Sequence, residues 1–573
     1  MEREKQRTSG GANRVLAAAA TVLFITIVAA LGWQVYSVVS DEIRVSELAA
    51  ERARIARDAA ALGGSAFEPI PLDGPTLWRN EAASQSKFPE GLYEIDEVDG
   101  STNHFSNNYF GYSFDFPANW EADNRAVPHY TRFFNNDFRI DITVDDVEGA
   151  WETPQAFIDI TLEPLQDRIS FDENFRISSH DVRVVDYSRP VVEGIINDMT
   201  HFSYFFITQD TTVYTMQLKT SESNHASKRA DFLRTLESLD LFDPEEFDLN
   251  SEIEQVDQEF DLRLEHGIHT LNIPAGDFMM GLFVEHDADL EDRKDDLDSS
   301  IGLQMIYSPI DSEFAGEYGS QILHMLDHDI MPKISFLFYE GYDGEDNEYV
   351  VRNIIGGKYD DSLSDWGENL ANLAAPVLVR LGNEMNGDWA KWSLQYNYND
   401  PDLYKLAFTH IVNVLREAGA DNVYTVWNPN GNSAPFTQWN HAAMFYPGDE
   451  VVDFVGLTHY HFGGRTTTDF VELYEDIYWE YSRLFYEKPM IIGEFGAVER
   501  GTDKAQWISD VFEYTAEEFP MIKMAVWFDA RHEHEVRRGG PDLRIDTSFE
   551  SLAAFRRGMN SPNTVNQLDR TFR

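Results

Sequence analysis

Two apolar runs, each closing on a glutamate, restrict the possible folds of this 573-residue chain more than any other feature. The first, residues 376–393, reads PVLVRLGNEMNGDWAKWS: apolar residues lead into Arg380, then Asn383, Glu384 and Asn386 open onto Trp389 and Trp392. The second, residues 488–496, reads KPMIIGEFG. An apolar run this short, ending abruptly in polar groups, predicts a buried parallel strand with chemistry at its carboxyl end. Strand alternation places Leu378, Arg380, Gly382 and Glu384 on one face, and Met490, Ile492 and Glu494 on one face of the other.

Glu384 and Glu494 are 110 residues apart, with VYTVW at 423–427 and VVDFVGLTHY at 451–460 between them. Three strand–helix units of roughly 37 residues each match a (β/α)8 barrel of about 250 residues plus insertions. Residues 279–285, 301–306 and 331–340 then supply strands one to three, and 522–529 strand eight. A lone glutamate at the end of an apolar run is more often a cap or a loop residue. Two of them on separate strand ends suit glycoside hydrolysis, in which one carboxyl protonates the leaving oxygen and the other attacks the sugar carbon.

Several ordered segments carry a resemblance. GKYDDSLSDWGENLANLAAPVLVRLGNEMNGDWAKWS (from Gly357), VYTVWNPN (from Val423), FYPGDEVVDFVGLTHY (from Phe445), KPMIIGEFG and FPMIKMAVWF (from Phe519) together resemble glycoside hydrolase family 26. That family comprises β-mannanases and other β-glycanases that act with retention on a (β/α)8 (TIM) barrel. The likeness spans residues 265–558. It implies Glu384 as acid/base, Glu494 as nucleophile, Tyr460 as a hydrogen-bond donor to the nucleophile, and Trp389, Trp392 and Trp527 as walls of a sugar cleft. One departure is Asn383, where the family usually has histidine. Asn-Glu is common here in related retaining barrels, where the asparagine contacts the sugar 2-hydroxyl, so the chemistry is kept and the sugar is left open between mannan and related β-glucan or xylan.

The neighbours divide the labour. A guanidinium such as Arg380 and the Tyr460 hydroxyl favour an ionised Glu494, whereas apolar walls from Trp389 and the charge on Glu494 favour a protonated Glu384. Trp389, Trp392, Trp427 and Trp527 follow strand ends, where flat rings can cover the C–H face of a pyranose; Trp366, in a helical pattern, reads as core. His459 and His461 flank Tyr460 without a third ligand at metal spacing, which points to substrate hydrogen bonds or support and to no metal. HDADLEDRKDDLD (286–298) has alternating acids, yet Asp292 stands where a calcium loop needs glycine, so a solvated loop is expected. No cofactor motif is present.

A formal net charge of −55, from 100 acidic and 45 basic residues, would repel phosphates over most of the surface and argues against a nucleic-acid partner. Such a surface fits both concentrated salt and an ordinary acidic exoprotein. The absence of cysteine excludes disulfides and a thiol nucleophile.

Residues 15–39 are almost wholly apolar and long enough to cross a core of roughly 30 Å. Arg3, Lys5, Arg7 and Arg14 precede the run, and Asp41 and Glu42 follow it, predicting a cytoplasmic tail (1–14), a transmembrane anchor and an extracellular or periplasmic catalytic region. A cleaved signal peptide would need a small-residue site that the sequence lacks. Residues 40–100 read as a juxtamembrane helix and linker. From 101 to 240 the period becomes two, as in Tyr112, Phe114 and Phe116 or Phe138, Ile140, Ile142 and Val144, before a helix bearing Phe232, Leu233, Leu236 and Leu239. This predicts a small antiparallel α+β domain, a spacer or binding module. Its GYSFDFPANW and closing helix are similar to PsbP/Mog1-like domains. An acidic linker (241–264) and a C-terminal tail (559–573) complete the chain. The expected whole is an anchored, outward-facing retaining endo-β-glycanase acting on a polysaccharide. The alternatives are a silent carbohydrate-binding barrel and an enzyme trimming the cell's own exported polysaccharide.

Overall fold

The computed structural model describes residues 91–570 except 124–129, 196–197, 248–258, 286, 342–348, 464–468, 486 and 532–540. The expected membrane anchor and the juxtamembrane helix lie outside the described residues, among which no helix is long and apolar enough to cross a membrane.

Two antiparallel sheets precede the barrel. One has the order β1 (Tyr93–Asp99), β2 (Thr102–Asn107), β3 (Tyr112–Pro117) and a later short strand at Asp240–Leu241. Strand β1 lies within the stretch expected to be linker; most of its side chains are exposed, and it is held by backbone pairing with β2 and by Tyr93, whose ring stacks on Phe105 at the edge of the core. The larger sheet contains β4 (Glu121–Asp123), β5 (Tyr130–Asn135), β6 (Phe138–Asp146), β7 (Ile169–Ile177), β8 (His180–Ser188), β9 (His201–Gln209) and β10 (Thr212–Thr220). Its spatial order is β4-β5-β6-β10-β9-β8-β7. The apolar set of β6 packs with Val182, Val184, Phe205, Met216 and Leu218 beneath Phe232 and Leu236 of the helical segment that follows.

Period two normally means a wet polar face. Here the polar set of β6, Arg139, Asp141, Thr143 and Asp145, is buried as well. Barrel loops cover it. Arg139 bonds Asp402 at 2.5 Å, Lys219 bonds both Asp400 and Asp402 at 2.7 Å, and Arg189 reaches Asp400 at 2.8 Å. Asp400 stands at the N-cap of the helix Pro401–Glu417 yet makes no capping bond, its carboxylate being used by these cations.

After the short strands β11 (Asp240–Leu241), β12 (Leu262–His266) and β13 (His269–Ile273), eight parallel strands follow in sequence. They are β14 (Phe278–Phe283), β15 (Leu303–Pro309), β16 (Met331–Leu337), β17 (Val377–Leu381), β18 (Val423–Trp427), β19 (Phe454–His461), β20 (Met490–Ala497) and β21 (Ile522–Phe528). Strand β14 pairs with both β21 and β15, so the sheet closes into a barrel with helices outside. Three expectations are corrected. β12 starts in the expected acidic linker, runs past its end at 264 and pairs with β13; the expected tail contributes Thr564–Val565 beside β14 and Asp569–Arg570 beside β13; and the acidic stretch expected as a loop contains the helix Asp287–Leu297.

Candidate active site

The end of β17 is shaped by two left-handed residues. Gly382 has φ +48°, and a Cβ there would stand 2.7 Å from the Phe338 ring. Glu384 adopts φ +58°, a conformation that costs a non-glycine residue about 1 kcal/mol or more. Strand alternation therefore stops at Leu381, and the expectation that Arg380 and Glu384 share a strand face is corrected. Hydrogen bonds hold the turn: the Glu384 amide donates to the Asn428 carbonyl at 2.8 Å, and the Trp392 indole donates to the Asn383 carbonyl at 2.7 Å.

Glu494 sits on β20 where the register with β19 shifts between Leu457 and Thr458. Its Oε1 accepts hydrogen bonds from the Tyr307 hydroxyl and the Arg380 guanidinium, and its Oε2 accepts from the Tyr460 hydroxyl at 2.8 Å. Arg380, fully buried, is aimed by Ser335, whose Oγ accepts from Nε at 2.7 Å. Beneath them the buried Lys333 amine donates to the Gly493 carbonyl at 2.8 Å. Burial, and then the Arg380 charge, push that amine well below the usual ammonium range.

The two carboxyls are set in opposite senses. Burial alone would raise Glu494, but the Arg380 charge and the Tyr307 hydrogen bond outweigh it and hold the carboxyl below its usual value of 4.5. Burial, and then the negative charge of Glu494, push Glu384 up to about 8 against the opposing pull of Arg380. Near neutral pH this leaves one carboxylate and one carboxylic acid, the pairing that acid-assisted nucleophilic displacement needs. Tyr307 and Tyr460 are pushed far above the usual phenol range by burial and by Glu494, so both remain donors.

Of the expected aromatic platforms, Trp389 alone is open. It is 50% exposed, and its Nε1 donates to Glu384 Oε2 at 3.0 Å. The other three are corrected. Trp392 is 3% exposed, with ring edges against Phe338 and Tyr339. Trp427 is sealed among Tyr446, Tyr481 and Phe485. Trp527 is sealed among Phe495, Trp507 and Phe555, with its indole N–H on the Leu543 carbonyl. Trp427 and Trp527 have no exposure at all, because their rings fill aromatic clusters with helix residues and cannot reach a ligand. Trp366 is core, against Phe314, Tyr318 and Phe336.

Asn383 is buried, with its Oδ1 unbonded within the protein. His459, half-buried, places Nε2 3.1 Å from the Asn432 amide, and burial lowers its pKa. His461 meets the Thr502 hydroxyl and stacks on Trp507. Sequence reasoning missed Tyr307, one residue past the predicted second strand, and Asn428, whose Oδ1 lies 3.4 Å from Arg380 Nη1. Extending that strand by period two from Met305 would have found Tyr307. The exposed Phe462, stacked on Tyr460, also went unnoticed. Among the described residues, Glu291, His324 and His328 have ligand atoms within 4.8 Å of one another, close enough to share a cation. Lys294 already pairs with Glu291, and the group lies on the outer helices Asp287–Leu297 and Glu317–Asp327 and the C-cap of the second, away from the two glutamates.

Residues 335–512 match the family Glycosyl hydrolase family 26. Among curated proteins, Endoglucanase H of Acetivibrio thermocellus is 32% identical over 225 residues, 37% of this chain and 23% of that protein. Mannan endo-1,4-beta-mannosidase A and B of Caldalkalibacillus mannanilyticus is 26% identical over 36% of this chain and 38% of its own length. Beta-1,3-xylanase TXYA of a Vibrio species is 24% identical over 39% of this chain and 52% of its own. The match thus spans between about a quarter and half of these relatives' lengths. Among solved structures, Bacillus subtilis mannanase man26 is similar at 19% identity, 51% of this chain, 87% of its own and a TM-score of 0.36. A Cellulomonas fimi endo-beta-1,4-mannanase is similar at 17% identity, 51% of this chain, 72% of its own and a TM-score of 0.41. These comparisons lend no support to the PsbP/Mog1-like reading of residues 101–240.

Proposed function

We propose that this chain, whose barrel is a glycoside hydrolase family 26 domain, hydrolyses an uncharged β-linked polysaccharide with retention at the anomeric carbon. Glu494 attacks that carbon while Glu384 protonates the departing oxygen; Glu384 then takes a proton from the water that releases the sugar. Arg380, Tyr307 and Tyr460 hold Glu494 ionised and oriented, Asn383 presents its free amide oxygen to a sugar hydroxyl, and Trp389 covers a sugar face. The observation that supports this most is the opposed setting of the two carboxyls, one held down by a buried guanidinium and the other pushed up to about 8. The relatives' names suggest β-1,4-mannan, β-1,4-glucan and β-1,3-xylan as first substrates. The apolar run at 15–39, basic before and acidic after, is read as a membrane anchor that keeps the barrel outside the cytoplasm.

One experiment covers both parts. The full chain is expressed and fractionated, and each fraction is assayed for reducing sugar on the three polysaccharides. Activity in the membrane fraction, abolished by Glu494→Ala, is expected. Equal activity in the variant removes the nucleophile assignment, and activity confined to the soluble fraction removes the anchor.

A further inference from the structure

Asp388, the residue before the exposed Trp389, also lines a cavity of about 790 Å³ where the antiparallel sheet meets the barrel loops. Trp151 and Arg168 line it from the sheet side; Tyr396, Tyr398 and Trp439 line it from the loops after β17 and β18. The loop that carries Glu384 therefore continues into this cavity. Gln395, another lining residue, donates to the Asp388 carbonyl at 2.6 Å and fastens the two parts of that loop together.

We propose that this cavity is a remote subsite that binds sugar units of the polymer being cleaved, and that the sheet domain exists partly to build it. The inference rests on the hydrolase reading above and adds to it where the chain of an uncharged β-glycan is held.

Three features favour that ligand. The aromatic side chains offer flat apolar area, and the half-buried Trp151 and Tyr396 remain accessible to a ligand. The charges are mixed: Glu163, Asp167 and Asp388 stand with Arg168, whose guanidinium lies 4.5 Å over the Tyr398 ring. Acids and a cation together suit hydroxyl donors and acceptors better than a polyanion, which the carboxylates would repel. Finally, the walls are held before any ligand arrives. Trp439 Nε1 donates to Thr161 Oγ1 at 3.0 Å, the Asn399 amide to the Thr161 carbonyl at 2.9 Å, and the Tyr187 hydroxyl to the Tyr398 carbonyl at 3.1 Å. A site so preorganised loses little binding energy to ordering.

The test uses the full chain, its Trp151→Ala and Tyr396→Ala variants, and the tri- and hexasaccharides of β-1,4-mannan, β-1,4-glucan and β-1,3-xylan. Both variants are expected to lose about tenfold in kcat/KM on the hexasaccharide that wild type cleaves, chiefly through KM, with the trisaccharide rate unchanged. The unchanged trisaccharide rate also shows that the variants are folded. A hexasaccharide rate that neither variant alters, or an equal loss on both lengths, overturns the subsite and leaves the hydrolase reading standing. If wild type cleaves none of these sugars, the hydrolase reading fails, and calorimetric titration with the hexasaccharides decides the subsite alone. Binding weakened by Trp151→Ala supports it; no binding, or binding that the variant leaves untouched, overturns it.

Discussion

Glu384 and Glu494 carry the same functional group, and their difference comes entirely from neighbours. Glu494 touches a guanidinium and two hydroxyls, whereas Glu384 has one indole N–H and faces a negative charge. In the proposed mechanism turnover requires Glu494 ionised and Glu384 protonated. Activity should therefore be lost as pH rises through about 8 on the Glu384 side, while the acid limb from Glu494 should lie lower than for an ordinary glutamate, because Arg380 and Tyr307 hold that carboxyl down. Initial rates at low substrate, measured across that window, should give a broad bell. Glu384→Gln should lower kcat on polymer by about 10²–10⁴ and remove the basic limb. A basic limb that survives in the variant would mean another group supplies the proton. Arg380 and Glu384 were legible as residues from their abrupt appearance in an apolar run. Tyr307 and Asn428 were not, since a tyrosine or an asparagine near a strand end is unremarkable until folding brings it to a carboxylate.

At the scale of elements, all eight barrel strands were readable because each is a short apolar run bounded by polar loops, a signal carried by consecutive residues. Side-chain direction at the strand ends was not readable. Trp427 and Trp527 could have faced either the sugar cleft or the outer layer, and the outer aromatic clusters took both. The turn at Gly382 and the register shift in β20 also escape a rule of period two. Gly493 shows why the shift needs glycine: a Cβ there would stand 1.7 Å from Asn428 Oδ1 and 3.4 Å from Arg380 Nη1. Asn428 cannot simply swing aside, because its amide donates to Thr458 Oγ1 at 2.9 Å and to the Pro429 carbonyl at 3.0 Å. Gly493→Ala should cost about 1–3 kcal/mol of stability, read as a lower urea midpoint, and should displace Glu494 enough to reduce kcat. An unchanged midpoint with full activity would show that the contact relaxes freely.

Across the whole molecule, the sheet and the barrel are joined by buried charge. Asp402 accepts from Arg139 and Lys219 and forms an ion pair with Lys405, all nearly inaccessible to water. Burial would raise its carboxyl, but Arg139 and Lys219 hold it well below the usual carboxylate range. Removing one member of such a cluster leaves its partners charged and dry. Asp402→Ala should therefore destabilise by about 3–5 kcal/mol, measured by calorimetric or denaturant unfolding. A loss below about 1 kcal/mol would mean that water reaches the cluster and screens it. What the sequence determined unaided was the series of barrel strands and the pair of glutamates at two of their ends, because apolar runs and their spacing are written in adjacent residues. What only the tertiary structure decided was which aromatics stay open and where the polar face of the sheet goes. Arg139 and Asp402 are 263 positions apart, and a contact made at that separation leaves no trace in the local pattern of either segment.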